Sequence, residues 1–136
     1  MEKVAEQKLV IGGKDVSEWD TGWTRVLGGF VTPHRKLRQK VGLFRGRLNH
    51  ETVVIGMGSQ SQNGGLEARL SDFRRAGDHN RSHYAGLMIR KHLLELELEV
   101  LEVGSNYTAS LLVLPLRRAM LKLHDPVWNR FRGLVH

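Results

Sequence analysis

The hydrophobic pattern of this chain changes period several times, and each change marks an element. Val41-Gly42-Leu43-Phe44 is a short apolar run, Asn49-His50 supply turn chemistry, and Thr52-Val53-Val54-Ile55 return as a β-branched run. That succession predicts a β-hairpin over 41–56. A polar, glycine-rich loop follows, Gly56 to Gly65. Leu66, Leu70 and Phe73 then sit at i, i+4 and i+7, the single stripe of an amphipathic helix, with Asn63 as its cap and Gly77 as its stop. After a polar loop over 77–82, a second helix is predicted from Tyr84 to Leu93. Leu94 to Val100 alternates strictly between apolar residues and glutamate. Leu and Glu are good helix formers, yet period two argues for a strand running to Val103, leucines inward and glutamates in water. The last helical region runs from about Thr108 to His124, and Pro115 inside it predicts a bend or two short helices.

The first 40 residues lack such periods. Gly12-Gly13, Gly22, Gly28-Gly29 and Pro33 punctuate them, and Trp19, Trp23 and Phe30 lie between as anchors for an irregular arm. The organisation read from the chain is therefore an arm, 1–40, and a domain, 41–136. The class is α/β (α+β), with a sheet of about three strands and helices packed on it.

Composition narrows the function classes. With no cysteine among 136 residues, a disulfide scaffold, a thiolate zinc site and a cysteine nucleophile are excluded. No apolar run approaches the roughly 18–20 residues that span a bilayer. The charged start, Met1 to Lys8, lacks a signal peptide's apolar stretch. A cytoplasmic protein with no membrane partner is expected. The formal net charge is +7 and the pI about 10.2. Such an excess in a small domain points to a polyanion: DNA first, then RNA, with an acidic protein partner as the alternative. Pro33-His34-Arg35-Lys36-Leu37-Arg38-Gln39-Lys40 is an acid-free basic run that continues to Arg45 and Arg47. Arg69, Arg74 and Arg75 belong to the predicted helix. Arg117, Arg118, Lys122, Arg130 and Arg132 form a second cluster around Trp128 and Phe131. The candidate nucleic-acid-binding residues are Arg35, Lys36, Arg38, Lys40, Arg69, Arg74, Arg75, Arg117 and Arg118. Weaker signals carry no chemistry. His79 and His83 have one-turn spacing without a zincin glutamate, Ser59 and Ser61 lack a nucleophile elbow, and the loop over 58–65 lacks a P-loop ending.

Four pieces in order carry a resemblance: Gly42-Leu43-Phe44, then Val54-Ile55-Gly56, then Leu66 to Arg74, then Leu121-Lys122-Leu123-His124-Asp125-Pro126-Val127-Trp128-Asn129. Together they resemble the GIY-YIG endonuclease domain over residues 41–129. The resemblance implies a small three-stranded, mainly antiparallel sheet flanked by helices. In active members it implies Mg²⁺-dependent hydrolysis of a phosphodiester. It places the family arginine at Arg69 and the terminal asparagine at Asn129. At the two motif tyrosines stand Phe44 and Val54, which have no hydroxyl to relay a proton. The metal-holding glutamate falls near Arg117 or Val113, neither acidic, and no acid occurs between Glu102 and Asp125. The expectation is a DNA-binding or regulatory relative with a degenerate site and no resident metal. Alternatives are an active nuclease using another acid (Glu51, Glu67, Asp72 or Asp125) and a protein-interaction or inhibitor module. Arg69 itself reads either as a phosphate clamp or as a solvated helix arginine paired with Glu67 or Asp72.

Overall fold

A computed structural model of the protein describes residues 9–60, 64–75 and 83–130. The order is β1 (Val10–Ile11), β2 (Lys14–Asp15), α1 (Val16–Asp20), β3 (Thr24–Val26), a 3₁₀ turn (Arg35–Leu37), β4 (Val41–Leu48), β5 (Glu51–Gly58), α2 (Gly65–Arg74), α3 (Tyr84–Lys91), β6 (Glu97–Gly104), α4 (Tyr107–His124) and α5 (Val127–Arg130). Strands β1 and β2 form a small hairpin, and the main sheet has the order β3-β6-β4-β5 with every neighbour antiparallel. The main sheet thus has four strands where three were expected. The extra one, β3, comes from the arm and pairs with β6 at the edge.

The β4–β5 hairpin closes through Asn49 and His50, with φ of 52° and 66°, between the paired residues Leu48 and Glu51. A two-residue loop with positive φ at both centres twists in the sense that the flanking strands require. Four consecutive residues of β4, Val41 to Phe44, are buried, because both faces of the sheet are covered. On one face Phe44, Val54, Leu98 and Val100 pack against Leu66, Leu70 and Phe73 of α2, with Phe30 and Leu37 of the arm and Trp128 of α5. On the other, Leu43, Ile55 and Leu101 pack against Val113, Leu116 and Met120 of α4 and against Trp19 of α1. The result is three layers with a core on each side of the sheet.

Strand β6 keeps the period of two, but it starts at Glu97, and Leu94 precedes it in a turn, 87% exposed. Glu102 is exposed and Glu97 partly so, as expected, but Glu99 differs. Glu99 lies opposite Arg45 in the ladder and accepts its Nε–H at 2.6 Å, with both side chains mostly buried. Arg47 lies 3.5 Å from the same carboxylate, and Trp23 lies under the Arg45 guanidinium. Glu99 therefore neutralises arginines within the sheet instead of facing water. Pro115 neither breaks nor divides α4, which runs unbroken from Tyr107 to His124. Leu111, whose carbonyl the proline leaves without a donor, is 58% exposed, as Pro115 itself is exposed. Water can replace the lost bond there. The cap of α2 is Gly64, with φ 95°. Asn63, Gly77, the 77–82 loop, Ser61, His79, Phe131 and Arg132 lie outside the described residues. No helix among the described residues is long and apolar enough to cross a membrane.

Candidate nucleic-acid interface

Strand β5 ends at Gly58, which must be glycine: a Cβ there would lie 2.7 Å from the Leu66 backbone. That close approach brings the start of α2 against the strand end and leaves a cleft of about 340 Å³ between them. Gly58, Ser59, Gln60, Arg69, Asp72 and Arg75 line it. Asp72 sits between the two arginines, 3.5 Å from Arg69 and 2.8 Å from Arg75. Among the described residues, two guanidiniums meet one carboxylate at the mouth. Arg69 also lies over the Phe73 ring, 4.9 Å from its centroid. Of the two readings offered for Arg69, the pairing with Asp72 is present; Glu67 is instead bound to Arg74 at 2.9 Å.

The basic run is held next to this helix. The Leu66 amide donates to the Lys40 carbonyl at 2.8 Å, and Gly65 approaches Lys40 too closely to admit a side chain. At the other end of α2, Arg74 donates to the carbonyls of Phe30 and Thr32 at 3.5 and 3.3 Å while pairing with Glu67. The segment 30–40 is thereby fixed alongside α2, its Leu37 buried and its Arg35, Lys36 and Arg38 exposed. Arg74 is spent on this attachment. Arg45 and Arg47, which extend the run in sequence, are taken up by Glu99. Arg117 and Arg118 lie on α4, across the sheet from α2. The nine candidate binding residues therefore divide between two layers.

Of the four family-matched positions, only Arg69 lines the cleft. Phe44 and Val54 are 1% and 2% exposed in the α2-side core, and Phe44 meets Phe30 and Phe73 edge to face. Asn129 is a backbone clip. Its Oδ1 accepts the Ile55 amide at 2.8 Å and its Nδ2 donates to the Ile55 carbonyl at 3.0 Å. It satisfies the outer edge of β5 and seats α5 on it.

The magnesium site that the resemblance implies does not fit the residues present. Val113 is fully buried, and Arg117 is cationic. Glu67 is bound to Arg74, Asp72 lies between arginines, Asp125 pairs with Arg130 at 3.0 Å, and Glu51 stands at the hairpin. Among the described residues no group of three or more His, Asp or Glu could hold a metal ion. The role of Asp72 as the bridge of the cleft was open to sequence reading, since it stands three residues from both Arg69 and Arg75. The contribution of Ser59 and Gln60 was not, because nothing local shows that these two residues line a cleft with Arg69 and Asp72 of α2. Family models, curated proteins and solved structures, compared with the chain, yield no match.

Proposed function

We propose that the protein binds nucleic acid, DNA in the first place, through the α2 layer, and that it is a GIY-YIG-like relative without an effective catalytic set. One observation carries the reading. An exposed basic segment, Arg35, Lys36 and Arg38, is fixed alongside the helix that presents Arg69 and Arg75. The thirty residues from Thr21 to His50 hold seven Lys and Arg and no acid. Arginine forks grip phosphate oxygens in pairs, and a basic strip beside them follows the backbone without reading bases. The order of strands and helices, with Gly42, Gly56, Arg69 and Asn129 at matching positions, supports the GIY-YIG-like layout. Phe44 and Val54 have no hydroxyl for a proton relay, and no group of acids among the described residues is arranged to hold Mg²⁺.

Titration of labelled duplex DNA at low salt, with and without Mg²⁺ or Mn²⁺, tests both halves of the proposal. Binding is expected, weakened in Arg69→Ala, with little or no cleavage. Metal-dependent cutting lost in Arg69→Ala would instead favour an active nuclease, with Glu51, Glu67, Asp72 and Asp125 as acids to replace. Absence of DNA and RNA binding would remove the proposal.

A further inference from the structure

Helix α4 carries a face that none of the described residues covers. Tyr107, Leu111 and Leu114 are 76%, 58% and 40% exposed. With Arg118 they follow a four-three-four spacing, and Lys122 extends the same line one turn further. That is the seam spacing of a helix that packs lengthwise on another helix. The opposite face is already used: Ala109, Val113, Leu116 and Met120 are buried against the sheet. The exposed line is thus a second apolar stripe, not the margin of the first. Its charge has one sign, since no acid occurs between Glu102 and Asp125.

We propose that this face docks an acidic amphipathic helix of a partner protein. The partner's apolar stripe covers Tyr107, Leu111 and Leu114, and its carboxylates meet Arg118 and Lys122. Charge disfavours a second copy as the occupant. Each chain carries +7, and the face offers no acid to meet its own Arg118 and Lys122. A nucleic-acid backbone would satisfy the cations but leave the leucines without apolar cover. A lipid surface favours apolar residues along the whole helix with cations at the flanks. Here Arg118 stands in line with Leu114, so the division runs along the axis instead of around it.

The test uses a fluorescent synthetic helix of about three heptads, with leucine along its seam, glutamate beside it and one glutamate placed to face Arg118. A version with lysine for every glutamate is the control. Anisotropy titrations of the whole protein should show binding of the acidic helix only. The double variant Leu111→Gln/Leu114→Gln should weaken it about tenfold or more. Arg118→Glu should also weaken it, and a lysine at the facing position of the peptide should restore binding. Neither variant should change the thermal midpoint or the affinity for DNA, which separates this face from the α2 layer. Equal binding of both peptides, or binding indifferent to Leu111 and Leu114, would overturn the proposal. So would absence of peptide binding with Leu111-dependent binding to phosphatidylserine vesicles, which would assign the face to lipid.

Discussion

Phe44 and Gly56 stand opposite each other in the β4–β5 ladder, and each accounts for the other. A Cβ on Gly56 would lie 2.2 Å from the Phe44 ring, so the far end of the ring fills the space a side chain would take. An aromatic covering a cross-strand glycine restores the packing that the glycine lacks. Gly56→Ala should therefore overpack the α2-side core and cost about 1–3 kcal/mol, read as a lowered urea midpoint with an unchanged slope. An unaltered midpoint would mean that the ring moves aside freely. Little of this was legible from the residues alone. The sequence shows that Phe44 lacks a hydroxyl, but its burial depends on Phe30 and Phe73, which arrive from the arm and from α2. Asn129 is a similar case. Its place near the end of the chain was visible, whereas its two bonds to Ile55 need the fold of β5 and α5 together.

At the scale of elements, local patterns were readable and distant pairings were not. The hairpin, the α2 stripe and the period of β6 each lie within a few residues and appear as expected, apart from shifts at their ends. Strand β3 spans three residues among glycines, and its partner Val100 lies far along the chain from Thr24. No window on the sequence contains both. The pairing of Glu99 with Arg45 was hidden for the same reason, since it follows from ladder register. Pro115 does not divide α4 in two, because the cost of the freed carbonyl depends on where it points, which the tertiary fold decides. The β4–β5 turn offers the test at this scale. His50 adopts φ 66°, a left-handed conformation that side chains with a Cβ disfavour. His50→Gly relieves that strain, and the bond from Arg47 to the residue-50 carbonyl needs no side chain there. The gain is partly offset by the greater freedom of glycine in the unfolded chain. A net stabilisation of about 0.5–1 kcal/mol is expected, seen as a raised thermal midpoint. A lowered midpoint would show that the imidazole contributes more than the turn gains.

Across the whole molecule, the sheet divides the basic residues that the sequence presents as one excess. Composition made the +7 charge visible, but it carries no information about sides. The structure assigns Arg35, Lys36, Arg38, Arg69 and Arg75 to the α2 layer and Arg118 and Lys122 to the α4 layer. The proposed binding of duplex DNA through the α2 layer predicts a quantitative difference between the two groups. Each phosphate neutralised on B-DNA contributes about −0.9 to the slope of log affinity against log salt. Replacing Arg35, Lys36 and Arg38 together by alanine should flatten that slope by up to about 2.7 and weaken binding across sequences alike. Replacing Arg118 and Lys122 by alanine removes charge from the other layer and should leave the slope unchanged, though the net charge falls by two against three for the arm. The comparison separates a defined binding face from diffuse attraction to a basic particle. Diffuse attraction would flatten the slope in proportion to the charge removed, whichever layer it came from. If the α4 pair flattens the slope and the arm triple does not, the nucleic acid lies on α4 and the functional sides of the molecule are exchanged.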